Sequence, residues 1–133
     1  MTRSTFPGVM LLACVLWSNG CKAPSTKPVD IYPEDMCAFC RMAFSDQRFA
    51  AEIILENGEV HKFDDIGCLE EFTRSSTALK IAATYYKDFD TKEWIPSSAA
   101  IVLRTDLSSP MGSGVVAFSD STKAKEFLRT RHL

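Results

Sequence analysis

Two stretches of this chain, EVHKFDDIGCLEEF (residues 59–72) and GVVAFSDSTKAKEF (residues 114–127), align without a gap. Val60 falls on Val115, Phe63 on Phe118, Asp65 on Asp120, and Glu71-Phe72 on Glu126-Phe127. Each stretch reads as a strand, then an acidic residue able to cap free helix amides, then the helix itself. A duplicated strand–cap–helix unit leaves few folds open, because each small copy has to bury its apolar face against another layer.

The first copy is the clearer one. In RFAAEIILENGEVHKF, residues Phe49, Ala51, Ile53 and Leu55 alternate along one face, and Glu59 to Phe63 return. Asn57-Gly58 between them supplies the positive φ angles of a tight turn, so a β-hairpin is predicted. Asp64 or Asp65 caps the helix that follows, and Ile66, Leu69 and Phe72 recur at helical spacing to face the hairpin. Gly67 weakens that helix and keeps it short. Further strands are expected near Met42–Phe44, over Ile81–Tyr86, from about Ala99 to Thr105, and at Val115–Ser119. The last segment, DSTKAKEFLRTRH, is an amphipathic helix with Ala124, Phe127 and Leu128 inward and basic residues near its end, which suits the helix dipole. The expected class is α+β, with two similar small ββα(β) units in which antiparallel hairpins are each packed by a short helix. The first unit spans residues 32–95, and a second, shorter ββα unit spans residues 96–133.

The N-terminus reads as an export segment. Arg3 precedes the apolar run Val9 to Trp17, which is too short for a spanning helix and suits the core of a secretion signal over residues 1–20. Cys14 in LLAC and Cys21 in SNGC can each end such a signal; Cys21 is favoured as the lipidated residue because the signal then has ordinary length. Acyl chains on a terminal cysteine suffice for stable attachment. Residues 21–31 then form a lipid-attached, flexible, Pro-containing tether. The expected location is exported and periplasm-facing, anchored by lipid to a cell-envelope membrane. A formal net charge of −2 and no basic stripe exclude nucleic acid as a partner.

Export changes what the cysteines mean. Cys37, Cys40 and Cys68 remain for the folded part, an odd number in an oxidising compartment, so at least one thiol is unpaired within the chain. The segment MCAFCRM gathers Met36, Cys37, Cys40 and Met42. Zinc favours thiolate and imidazole, whereas Cu(I) accepts both thiolate and thioether, so a mixed Cys/Met set points to Cu(I). Met111, in the loop SSPMGSG, sits among small polar residues with little local reason to be buried. His61 is either a half-buried histidine with a satisfied hydrogen bond or a nitrogen ligand near the cysteine turn. Cys68 is read as a small buried hydrophobe inside the helix, and His132 carries no assignment. A zinc or disulfide staple is the competing reading of C-x-x-C. A thiol-disulfide oxidoreductase is weaker still, since a hairpin rather than a long helix follows the motif. No catalytic triad or working carboxylate pair stands out, and no enzyme is expected.

DMCAFCRM, the hairpin, KFDDIGCLEEF and PMGSGVVAFSDSTKAKEF together resemble the NosL family of nitrous oxide reductase accessory proteins over about Asp30 to Phe127. The resemblance implies an exported lipoprotein of two small ββαβ units that binds Cu(I) and serves as a copper chaperone. By position it carries over Cys37, Cys40 and Met42 from the family's first motif and Met111 from its Pro-Met-Gly loop. It departs at Arg41, where the family pattern has glycine. The partners it implies are apo-nitrous oxide reductase, or another copper enzyme, and a copper-transporting membrane complex. The mechanism expected is ligand exchange: Cys40, Met42 and Met111 hold one Cu(I), and Cys37 or His61 completes or shields the site.

Overall fold

The structure, a computed structural model, describes residues 24–131. The expected signal, Cys14, Cys21 and His132 lie outside that range. Among the described residues no helix is long and apolar enough to cross a membrane.

Strands β1 (Ala51–Leu55) and β2 (Val60–Phe63) form the predicted hairpin, with Ala51 opposite Phe63 and Ile54 opposite Val60. The turn departs from expectation in one respect: Gly58 alone takes a positive φ (86°), while Asn57 does not. The Gly58 N–H bonds the Leu55 carbonyl at 2.8 Å, and the Asn57 side chain accepts from the Glu59 N–H at 3.0 Å. Asparagine therefore serves through its amide oxygen instead of its backbone. Helix α1 (Ile66–Ser75) follows, with Asp65 as its N-cap accepting from the Gly67 N–H. Strand β3 (Ile81–Lys87) pairs antiparallel with β1, and β4 (Trp94–Pro96) with β3, giving a sheet in the order β2-β1-β3-β4. Strands β5 (Ile101–Arg104) and β6 (Val115–Phe118) form a second, two-stranded antiparallel sheet. Helix α2 (Ser121–Arg131) ends the described chain, and Asp120 accepts from its Thr122 and Lys123 amides.

The class is α+β, and the two aligned stretches are β2-α1 and β6-α2. The strand expected at Met42–Phe44 does not form. Ala43 makes an isolated bridge to Met36, because the intervening backbone is folded into the cysteine turn, with the Cys37 N–H on the Met42 carbonyl at 2.8 Å.

Strand β6 is buried on both faces and divides two apolar cores. Val115 and Ala117 face a core with Ile53, Phe63, Ile66 and Leu69, which also holds Cys37 and Cys68. Val116 and Phe118 face the other, with Phe49 and Ala124, against which Phe89 and Phe127 pack. Each large side chain buried in this way contributes ~1.5–3 kcal/mol. Asp88 ties the second sheet to the first, accepting from the Ser119 N–H at 2.7 Å and the Ser119 hydroxyl at 2.5 Å.

The alternation expected along β1 is replaced by burial of all five residues, because its outer face is covered too. Residues 24–30, expected to run as a tether, lie against that face. The Tyr85 hydroxyl donates to the Thr26 carbonyl at 2.7 Å, Lys62 Nζ to the Asp30 carbonyl at 2.5 Å, and the Val29 N–H to the buried Glu52 carboxylate at 3.0 Å. Burial pushes the Glu52 carboxyl up to about 7, against the pull of the Val29 N–H, Lys62 and Lys87.

Candidate metal centre

The cysteine turn is fixed at both ends. The Cys37 N–H meets the Met42 carbonyl, the Arg41 N–H donates to the Cys37 carbonyl at 3.0 Å, and the Ala38 N–H donates to the Lys62 carbonyl at 2.8 Å, fastening the turn to β2. Closing so short a loop places Arg41 at φ 64°, in the left-handed region that favours glycine. The position where the family pattern has glycine is thus one whose backbone wants it.

Cys37 is fully buried at the floor of the turn, and Cys40 is half-buried at its lip. Cys40 Sγ donates to Asp64 Oδ1 at 3.5 Å, and Cys68 enters from the first turn of α1. One ligand atom from each of Cys37, Cys40, Asp64 and Cys68 lies within 4.8 Å of all the others. All three cysteines are free. Burial pushes the Cys37 thiol up. Burial, then the charges that Cys37 and Asp64 would carry beside it, pushes Cys68 up strongly. Both are therefore thiols at neutral pH, and a metal ion entering here displaces protons.

The thioethers lie outside the core. Met36, Met42 and Met111 are 53%, 55% and 45% exposed, which removes core packing as their reason for being there. Met111 and Phe39 line a cleft of about 470 Å³ that reaches Cys68 and is rimmed by Glu70, Arg74 and Arg104. This brings the Met111 loop and the cysteine turn to one opening. Met42 is joined to the cluster through its backbone bond to Cys37.

Asp65 holds the Met111 loop. Its Oδ1 accepts from the Gly67 N–H at 2.7 Å and from the Ser113 hydroxyl, and its Oδ2 accepts from the Ser109 hydroxyl at 2.6 Å and the Met111 N–H at 2.9 Å. Burial alone would raise this carboxyl, but the four hydrogen bonds outweigh it and hold it below the usual carboxylate range.

His61 stands elsewhere. It lines a different cleft, with Met36 and Arg41, its Nε2 is 3.2 Å from Glu59 Oε1, and its ring rests 5.1 Å from that of Phe72. It is not a member of the four-residue group. Two members of the group have no ligand signature of their own in the sequence. Asp64 is expected from the sequence as an alternative cap and Cys68 as a small buried hydrophobe, which by burial it is. Their signal lay in the duplication: Asp64 aligns with Ser119 and Cys68 with Lys123, so the unit's fold demands neither residue.

Chemically, three cysteine sulfurs and one carboxylate within reach of one another form a donor set able to hold a metal ion, and these four groups alone suit zinc as well as a softer ion. The NosL family model matches residues 28–132. The fold is similar to that of the copper chaperone NosL from Shewanella denitrificans, with a TM-score of 0.68, 16% sequence identity, and coverage of 80% of this chain and 89% of that one. Among curated proteins none matches.

Proposed function

The chain belongs to the NosL family, and on that footing we propose that it is a copper chaperone that binds Cu(I) through cysteine and methionine sulfur. The observation that carries this reading is the group of free cysteines beside a cleft that Met111 lines, with Met42 exposed at the end of the same cysteine turn. Cys40, Met42 and Met111 are the proposed ligands. Cys37 is proposed to complete or shield the set; it is grouped with Cys40, as are Asp64 and Cys68, while His61 pairs with Glu59 and rests on Phe72. The cleft beside Met111 leaves one side of such a site open. An incoming ligand from a partner can then enter before the chaperone's own ligands leave, so the ion passes by ligand exchange with no covalent catalysis. The same reading makes the chain an exported lipoprotein attached through Cys21. It takes copper from a membrane transport complex and delivers it for assembly of the copper centres of nitrous oxide reductase, or of another copper enzyme.

The test is an anaerobic Cu(I) titration of the reduced full-length chain against a competing chelator, beside Met42→Ala and Met111→Ala. One tightly bound copper per chain is expected, with affinity lowered about tenfold or more by either change, equivalent to a loss of about 1.4 kcal/mol. Copper binding indifferent to both methionines, or a clear preference for zinc, would refute the reading.

A further inference from the structure

We propose that Asp65 is a positioning residue for the Met111 thioether, a latch that sets one copper ligand against the others. The inference rests on the copper reading above and concerns how that site is assembled.

A helix cap needs an acceptor for one or two of the first free amides. Asp65 meets that need with Oδ1 on the Gly67 N–H. Its remaining bonds do nothing for α1. The Ser109 hydroxyl, the Ser113 hydroxyl and the Met111 N–H all come from a loop more than forty residues further along the chain. The second unit provides an internal control. Asp120 occupies the aligned position, caps α2 through the Thr122 and Lys123 amides, and is exposed. Capping alone therefore calls for neither the burial of Asp65 nor its grip on a distant loop.

Gly67 supports the same conclusion from the other side of the contact. A Cβ built there would lie 2.5 Å from the Ser113 Cβ, so the loop packs against the bare backbone of the first helical turn. The second unit has Thr122 at the aligned position. Within the loop, Gly112 and Gly114 take φ values of 75° and 64°, and the Gly114 carbonyl accepts from the Thr105 N–H at 2.9 Å. Every anchor of the loop fixes backbone or serine, and Met111 lines the cleft together with Gly112 and Ser113.

The dipeptide Asp64-Asp65 thus joins both halves of the site. Asp64 touches Cys40, Asp65 holds the backbone of Met111, and Cys68 follows in the same helical turn. A thioether has no charge with which to draw a cation from a distance. Its contribution depends on being held near the metal position in advance, so that little conformational freedom is lost on binding.

The experiment is a double-mutant cycle of Asp65→Asn and Met111→Ala in the reduced full-length chain, read by chelator competition for Cu(I). Asparagine can keep its oxygen on the Gly67 N–H, preserving the cap, while its amide nitrogen replaces the oxygen that faces the Met111 N–H. The expected result is an affinity loss of about tenfold from Asp65→Asn when Met111 is present, and less than about twofold when Met111 is already alanine. Copper X-ray absorption should lose one sulfur scatterer in Asp65→Asn, which a purely structural cap would not cause. Gly67→Ala is the second variant. It raises helix propensity but drives a methyl into Ser113, so helical circular dichroism should be kept while the same Met111-dependent loss appears.

Equal losses from Asp65→Asn with and without Met111, or Gly67→Ala binding copper as the parent does, would overturn the latch. A Met111→Ala chain that binds copper normally would overturn it too, and that single variant shows the failure to lie in the ligand reading beneath it.

Discussion

Replacing Arg41 by glycine should stabilise the metal-free protein. Arg41 sits at φ 64°, its side chain is exposed, and it makes no ion pair among the described residues. A non-glycine residue in the left-handed region costs ~1–2 kcal/mol. Glycine returns ~0.4–1 kcal/mol of that through its greater freedom in the unfolded chain. The net gain is therefore about 0.5–1 kcal/mol, which moves the melting midpoint of a domain this size by about 3–6 °C. Urea unfolding of the reduced protein, with Arg41→Gly, Arg41→Asn and Arg41→Ala side by side, reads it directly. Stability should fall in the order Gly, Asn, Ala, since asparagine tolerates this conformation better than alanine does. Alanine removes the guanidinium but keeps the strained backbone, so equal gains from Gly and Ala would assign the effect to charge and refute the backbone argument. Copper affinity separates the other consequence: removing the cation beside the site should raise affinity in all three variants alike.

Glu52 predicts a pH dependence. Its folded pKa, about 7, lies above the ordinary 4.5, so its stability contribution is full below pH 4.5 and is lost as pH rises through 7. The cost by pH 8 is about 3 kcal/mol. Glu52→Gln still accepts from the Val29 N–H and should raise the melting temperature at pH 8 with little change at pH 5; parallel melting-versus-pH curves for the two proteins would sink this. Thiol labelling supplies a further check. Iodoacetamide at neutral pH should modify Cys40 first and leave the buried Cys37 and Cys68 largely unreacted by mass spectrometry. Equal labelling of all three would contradict the burial order.

How far the sequence went depended on the range of the interaction. The hairpin, α1 and α2 were legible because alternation and helical spacing are local, and the aligned Asp65 and Asp120 do cap their helices. The exposure expected of Met111 followed from its small polar neighbours. What escaped was long-range. Cys68 lay on the apolar stripe of α1 and was rightly buried, but nothing local says that the turn at Cys37 and Cys40 packs against it. Asp65 looked like a cap because it is one, and its three bonds to residues 109–113 exist only after the second sheet is in place. The turn at Asn57-Gly58 forms with Gly58 at positive φ, and only Asn57 departs, because asparagine has two ways to stabilise a turn and here uses its side chain.

The backbone pinned across β1 at residues 24–30 also limits reach. With Cys21 as the proposed acylated residue, three covalent steps separate it from Pro24, no more than about 11 Å at full extension. A free tether from residue 21 to 31 would let the domain roam several times that distance. As folded, the protein would be moored at the bilayer surface, exchanging its cargo within roughly its own thickness of the lipid headgroups. Lengthening the stretch before Pro24 would then change which membrane-bound donors it can meet while leaving the sulfur site untouched.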